Sequence, residues 1–202
     1  MAETADTTRA QIIQAADDLF YGEGIRSASM DAIAARAGVT KRTVYYHFRS
    51  KDDLLVAYLA ARDQSTLVRY ACWVDESDGT LAEQIAGMFA RLGAFAKRPQ
   101  WKGCGFLRAA AELAGTPGHP ARKAASAHKK RFEAWLAGKI TEEGLDNPGL
   151  RARQLMILLD GTAAELLIHR DSAYAEAAGR AAALVLGAHG GGRRARGRGA
   201  AS

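Results

Sequence analysis

Cysteine and proline are both scarce in this chain of 202 residues, which holds two cysteines and four prolines. Cys72 and Cys104 form no Cys-x-x-Cys pair, so we expect free thiols in helical packing within a reducing cytosol, with a redox sensor as the minor alternative. No apolar run approaches the roughly 18 to 20 residues that cross a bilayer. The first eight residues lack the pattern of a signal peptide. A cytoplasmic protein without a membrane partner is expected.

Catalytic motifs are also missing from the sequence. It has no Gly-x-Ser-x-Gly, no P-loop, no Gly-x-Gly-x-x-Gly and no repeated Glu-x-x-His of a di-iron bundle. Glu165 and His169 lie on one predicted helix face and could touch a metal, but an ordinary ion pair is preferred because no further ligands cluster nearby. We therefore predict that the chain is not an enzyme and expect neither a metal site nor a cofactor.

Helical periodicity runs through most of the chain, while β-branched runs are short and no long segment alternates with period two. The expected fold class is all-α. An N-terminal module of three helices, including a helix-turn-helix, precedes a C-terminal helical bundle for ligand binding and dimerisation. The predicted helices span about residues 8–21 (with Thr8 as the N-cap), 29–37, 40–48, 50–72, 81–97, 106–113, 121–140, 150–170 and 173–188.

The net charge of +6 is unevenly distributed along the chain. Four arginines lie in the Gly/Arg-rich segment 189–202, which cannot bury a core and is expected to be disordered. Residues 32 to 51 contain five basic side chains and no acidic one. We predict a DNA-binding domain at 1–50 and a regulatory ligand-binding and dimerisation domain at 51–188. The arginine-rich segment could add non-specific DNA affinity or be an inert extension.

The segment from Thr40 to Phe48 has the pattern of a helix with one apolar face. Val44 and Phe48 are predicted to face Ile33 and Ala37 of the preceding helix. The rest of the surface is polar or aromatic: Thr40, Lys41, Arg42, Thr43, Tyr45, Tyr46 and His47. Two short helices joined by a turn form a helix-turn-helix, whose second helix fits the major groove.

This region resembles the DNA-binding domain of the TetR/AcrR family of transcriptional regulators. The matching residues are Ile33-Ala34, Ala37 to Thr40, Thr43 to Phe48 and Ser50 to Leu54. The resemblance implies a ligand-responsive regulator, most often a repressor, that binds a palindromic operator as a homodimer and is released by a small-molecule effector. The segments 103–112 and 128–135 also resemble the regulatory domain of one branch of this family.

The resemblance implies a role for each matching position. Side chains expected to grip the DNA backbone are Ser29, Thr43, Tyr46, His47 and Lys51. Those expected to reach base edges are Thr40, Lys41, Arg42 and Tyr45. Arg42 replaces a small residue of many relatives and could shift base preference toward guanine. Ala28 replaces a frequent Thr and could remove one phosphate contact. Tyr45 could instead pack between helices, and His47 could be a structural or phosphate-bonding group or, equally, a pH sensor.

The C-terminal half offers no comparable motif, so its sites are weaker predictions. Some apolar side chains are expected to enclose an effector, with Trp101, His128 or Asp160 orienting it and core packing as the alternative. The predicted pocket consists of Phe89, Trp101, Phe106, His128, Trp135, Met156 and Asp160. A homodimer is expected through the last two helices. The predicted contact residues are Leu155, Met156, Leu158, Leu159, Ala163, Leu166, Leu167, Ala177, Ala178, Ala181, Leu184 and Val185.

Two rival functions remain at this level. A carrier protein could retain the fold without reading DNA, although the intact polar surface from Thr40 to Lys51 argues against it. An all-α enzyme is the weaker rival because no acid/base pair or ligand cluster is apparent.

Overall fold

Residues 2 to 187 are described by a computed structural model, with the side chains of residues 6 to 187. In this part of the chain there are nine helices and no strand, as the sequence predicts. The helices are α1 (Ala2–Gly22), α2 (Met30–Ala37), α3 (Lys41–His47), α4 (Lys51–Asp75), α5 (Leu81–Ala96), α6 (Gly105–Glu112), α7 (Pro120–Glu142), α8 (Pro148–His169) and α9 (Ala173–Val185). The predicted disordered segment 189–202 lies outside the described residues.

The first helix is longer than its pattern predicts. It begins at Ala2, so Thr8 lies inside the helix. The prediction that Thr8 is the N-cap is therefore wrong. The missed turns carry few large apolar residues, so the periodic signal begins only at Ile12. The other helix ends differ from the prediction by up to three residues, within the usual uncertainty of terminal turns.

Local sequence signals define the helix-turn-helix. The hydroxyls of Ser29 and Thr40 accept backbone N–H bonds from Ala32 (3.0 Å) and Thr43 (3.1 Å), which caps α2 and α3. Between the two helices, Gly38 takes a left-handed conformation with φ of 67°. A β-carbon is strained in that conformation, so glycine suits this sharp turn.

Two hydrophobic clusters organise the described residues. The first joins α1 to α3 with the start of α4, with α6 and with the start of α7. The second lies among the end of α4, α5, the later part of α7, α8 and α9. Helices α5 and α9 approach so closely that a β-carbon added at Gly93 would stand 2.9 Å from that of Ala175. Because the start of α4 lies in the first cluster and its end in the second, this helix connects the two clusters.

Candidate DNA-binding surface and internal cavity

Helix α3 packs through one apolar face and leaves the rest in solvent. Val44 is fully buried and Phe48 nearly so, as predicted. Tyr46 is 82% exposed and Tyr45 45% exposed, so Tyr45 is not buried between helices. A short helix stabilised from one side thus presents aromatic and basic side chains outward, which is unusual without a partner that covers them.

The nine side chains predicted to contact DNA lie on the helix-turn-helix or at the start of α4. Exposed side chains belong to Ser29, Thr40, Lys41, Arg42, Tyr45 and Tyr46, whereas Thr43, His47 and Lys51 are partly buried. Arg42 has neither an ion pair nor a side-chain hydrogen bond with the described residues, so its donors are free for an acceptor. Its position within the first turn of α3 suits contact with a base edge.

Some of these side chains already have partners within the protein. The ammonium of Lys41 lies 3.0 Å from the carboxylate of Asp31, and this exposed contact raises the pKa of Lys41. Asp31 lies just outside the acid-free segment and was therefore missed by counting charges within it. The ammonium of Lys51 is 3.5 Å from the carbonyl of Arg26, and partial burial lowers the pKa of Lys51. Binding to a phosphate would require both lysines to exchange these contacts.

A cavity of about 510 Å³ lies between α4, α5, α7 and α8, and we call it the central cavity. Five of the seven predicted pocket residues line it: Trp101, Phe106, His128, Met156 and Asp160. Phe89 and Trp135 do not. Phe89 is fully buried in the second hydrophobic cluster, and Trp135 packs edge-on against Phe132. Both occupy apolar helix positions, where sequence alone does not separate core from cavity wall.

Two of the polar side chains predicted to orient a ligand are engaged with other residues. The Nδ1 atom of His128 is 2.6 Å from a carboxylate oxygen of Asp63, which also binds Arg131. The imidazole stacks on Phe106 with 3.6 Å between ring centroids. This burial lowers the pKa of His128 despite the opposing effect of Asp63. Asp160 is ion-paired with Lys129.

Several cavity residues were missed by the sequence analysis. They are Tyr21, Arg62, Arg69, Tyr70, Trp73 and Arg98, among others. Tyr70 and Trp73 are three residues apart on α4, and their rings meet at 5.0 Å. That spacing was available in the sequence, but only the arrangement of α4 against α5 and α7 places these rings at a cavity.

A second set of contacts connects α6 to the end of α1, and we call it the latch: Tyr21, Ile25, Arg26, Arg108 and Glu112. The carboxylate of Glu112 accepts the backbone N–H groups of Ile25 (2.8 Å) and Arg26 (3.3 Å). The guanidinium of Arg108 donates to the carbonyl of Tyr21 at 2.7 Å. Tyr21 also lines the central cavity, so the latch joins the cavity wall to the turn that precedes α2.

Helices α8 and α9 carry an outward apolar stripe that differs from our prediction. We had expected five side chains of α8 to contact a partner, but they are buried within the protomer: Leu155, Met156, Leu159, Ala163 and Leu166. The strongly exposed apolar side chains are Leu150 (58%), Ile157 (67%), Ile168 (68%) and Leu184 (59%), with Leu167 less exposed. The prediction erred because α8 is apolar around most of its circumference, which hides the face used internally.

Metal and membrane features add little. Glu165 and His169 form an ion pair of 3.2 Å on the surface of α8. Among residues 2 to 187 no three His, Cys, Asp or Glu side chains lie together in a metal-binding arrangement. Within that range no helix has the length and apolarity required to traverse a lipid bilayer.

Comparison with known proteins gives a consistent result. Residues 12–58 match the family model described as "Bacterial regulatory proteins, tetR family". The chain is 31% identical to SCO4454, a TetR-family transcriptional regulator from Streptomyces coelicolor, over 89% of this chain and 94% of that one, with a TM-score of 0.76. A putative TetR transcriptional regulator from Streptomyces avermitilis shows 29% identity, coverage of 87% and 97%, and a TM-score of 0.72.

Similarity to the first curated relatives covers a short part of the chain. The transcriptional regulator SrpR from Pseudomonas putida is 46% identical over 61 residues, which is 30% of this chain and 29% of that protein. By contrast, the regulator YjdC from Escherichia coli aligns over 88% of this chain and 93% of its own length, at 24% identity. The chain is therefore similar to SrpR over less than a third of either length and to YjdC, more weakly, over most of both lengths.

Proposed function

We propose that this chain, which belongs to the TetR family of bacterial transcriptional regulators, is a cytoplasmic repressor that binds a palindromic operator as a homodimer and is released by a small organic effector. As a helix-turn-helix regulator, it is not an enzyme. The observation that carries the proposal is the exposed aromatic and basic surface of α3, held by a buried apolar face. We retain the division at residue 50 between DNA-binding and regulatory domains as part of the proposal.

DNA contact is proposed through the nine side chains described above. Hydroxyls at helix N-termini and lysine ammonium groups suit phosphate oxygens, while Arg42 can bond the O6 and N7 atoms of guanine. The caps hold Ser29 and Thr40 at the exposed ends of α2 and α3, so both helices are proposed to contact DNA.

Dimerisation is proposed through the outward stripe of α8 and α9. Along α8, Ile157, Gly161, Ala164 and Ile168 follow the helical repeat, and Leu184 extends the apolar surface on α9. Small residues between larger ones allow close approach of helices, and two copies related by a two-fold axis would form a four-helix interface. Such symmetry predicts half-sites about one helical turn, or a multiple of it, apart.

Effector release is proposed to pass from the central cavity to the helix-turn-helix through α4 and the latch. A cavity of this volume suits a small molecule. Tyr21 lies in the cavity wall and is held by the 102–103 loop, since its hydroxyl donates to the carbonyl of Gly103 at 2.9 Å. A ligand that displaced this loop would change the contacts of the latch and so the spacing of the two DNA-reading helices in the dimer.

The decisive experiment is selection of the purified protein against random duplex DNA, followed by sequencing of the bound pool. We expect a palindromic motif, and analytical ultracentrifugation should show a dimer at micromolar concentration. Weak, salt-sensitive binding without any motif would overturn the repressor proposal and favour a ligand-binding protein that no longer reads DNA. The Arg42→Ala protein in the same selection should lose preference at one position of each half-site.

A further inference from the structure

The charges around the central cavity are not balanced. Five basic side chains line it, from Arg62, Arg69, Arg98, Lys102 and Lys129, against three carboxylates. Each carboxylate is already neutralised, because Asp17 pairs with Arg62, Asp18 with Arg36 at 3.3 Å, and Asp160 with Lys129. Among the described residues, no carboxylate lies within ion-pair distance of Arg69, Arg98 or Lys102. The cavity therefore holds surplus positive charge.

Two of these unpaired cations converge on a single aromatic ring. The guanidinium carbons of Arg69 and Arg98 lie 4.7 Å and 4.5 Å from the centroid of Phe95. Stacking on the ring holds both guanidinium groups in place. Their side chains make no hydrogen bond with any described residue, so their N–H donors remain available. Arg98 is exposed and Arg69 partly buried, and an anionic group placed near Phe95 would be attracted by both.

The wall next to these arginines is aromatic. The rings of Tyr70 and Trp73 meet at 5.0 Å, and those of Trp73 and Phe95 at 5.8 Å, both edge to face. Tyr70 also meets Phe132 at 5.1 Å. The Tyr70 hydroxyl has no hydrogen-bond partner among the described residues, and burial raises the pKa of Tyr70, so this hydroxyl stays a donor at neutral pH. Flat apolar ligands fit between such rings.

On these grounds we infer that the effector is an aromatic carboxylate, with its ring system among Tyr70, Trp73 and Phe132 and its anionic group at Arg69 and Arg98. The inference deepens the proposed function and rests on it for the word effector. A cationic ligand is disfavoured because every carboxylate of the cavity has an internal partner. A neutral ligand would leave the positive charge of the two guanidinium groups unbalanced.

Isothermal titration calorimetry on the full-length protein without DNA tests this inference. The probes are 2-naphthoate and biphenyl-4-carboxylate, each with its neutral amide, and 2-naphthylmethylammonium as the cation, all at pH 7.5. We expect at least one acid to bind about 10-fold more tightly than its amide, because hydrogen bonds to charged groups are roughly that much stronger. The cation should bind more weakly than both.

Variants locate the anionic subsite. Arg69→Gln and Arg98→Gln keep a polar side chain and remove one charge each, so each should weaken binding of the acid about 10-fold and leave the amide nearly unchanged. Arg122→Gln is the matched control, since Arg122 is exposed at the start of α7 and does not line the cavity. Circular dichroism confirms that the variants are folded.

The outcomes separate this inference from the repressor proposal. Three results would overturn the aromatic-carboxylate inference: equal binding of acid and amide, tighter binding of the cation, or no binding of either acid at 1 mM. A Kd of 1 mM corresponds to a binding free energy of only about 4 kcal/mol. Discrimination that survives both arginine substitutions would also overturn it. A failed DNA selection would leave the calorimetry intact, because no DNA is present in it.

Discussion

Helix α3 and the central cavity are built from the same kinds of side chain in opposite settings. Both combine aromatic rings with arginine or lysine. On α3 the rings of Tyr45 and Tyr46 face solvent, whereas in the cavity the rings of Tyr70 and Phe132 pack against each other. An exposed set on one short helix suits the groove of a large partner such as DNA. A set drawn from several helices around a cavity suits a small molecule.

The two regions also differ in what a side chain contributes to stability. An exposed aromatic on α3 costs little to remove from the folded protein, and its value lies in the partner it binds. A buried aromatic at the cavity supports both the fold and the shape of the cavity. Substitutions can therefore separate binding from stability on α3 more cleanly than they can at the cavity wall.

The largest expected effect is on stability, from truncating the cavity wall. Phe132 is 1% exposed and contacts the rings of Tyr70, His128 and Trp135. Phe132→Ala should lower the free energy of unfolding by about 3 to 5 kcal/mol, measured by urea denaturation. Tyr46→Ala, at an exposed aromatic, should change it by less than about 0.5 kcal/mol. Similar losses in the two variants would contradict the contrast drawn between the regions.

The next effect concerns operator affinity. Arg42→Ala should cost about 1 to 3 kcal/mol on the selected operator and much less on a site altered at the base pair that Arg42 reads. Lys51→Ala should weaken binding to every sequence and reduce the salt slope by about one unit. Fluorescence anisotropy over a range of salt concentrations measures both. A uniform loss for Arg42→Ala would remove its base-reading role.

A smaller effect is expected for the contact that joins the two regions. Glu112→Gln keeps the shape of the side chain but weakens its bonds to the N–H groups of Ile25 and Arg26. We expect an effector bound at saturation to lower operator affinity about 5-fold less than in the unaltered protein, within the usual range of coupling energies. The exposed Glu142→Gln is the control. Unchanged coupling in Glu112→Gln would exclude the latch from signal transmission.

The smallest expected effect is a pH dependence of stability caused by His128, which lines the central cavity. Burial lowers the pKa of His128 in the folded protein, although Asp63 opposes the shift and Lys129 and Arg131 support it. Below the ordinary histidine pKa of about 6.5, the unfolded chain binds a proton that the folded protein does not. The free energy of unfolding therefore decreases as the pH is lowered from about 6.5 to the pKa of His128 in the folded protein. His128→Gln should show a weaker loss between pH 7.5 and 5.5 by urea denaturation. A steeper loss in the His128→Gln protein would contradict the predicted direction of the His128 pKa shift.

The helix-turn-helix was predictable because its signals are local. Ser29, Gly38 and Thr40 act on residues within one turn of themselves, and the inward positions of Val44 and Phe48 follow from the helical repeat alone. The start of α1 was missed because its first turns carry few large apolar residues. The contact of Lys41 with Asp31 was missed because it crosses from one helix to the next.

The cavity was only partly predictable because its lining depends on how distant helices face each other. Five of the predicted residues lie in its wall: Trp101, Phe106, His128, Met156 and Asp160. Their contact with a ligand stays a prediction. Phe89 and Trp135 are aromatic residues on helices, as Phe106 is, yet Phe89 is buried in the core and Trp135 packs against it. No local pattern separates the two groups.

The helices, the turn at Gly38 and the exposed face of α3 were predictable from the sequence, because they depend on bonds and periodicities spanning a few residues. The tertiary structure alone decided which apolar side chains face the central cavity, and it left Arg69 and Arg98 beside Phe95 without acidic partners. It also decided which face of α8 is buried within the protomer. Those features depend on the relative rotation of helices far apart in the chain, which close packing of the whole core determines.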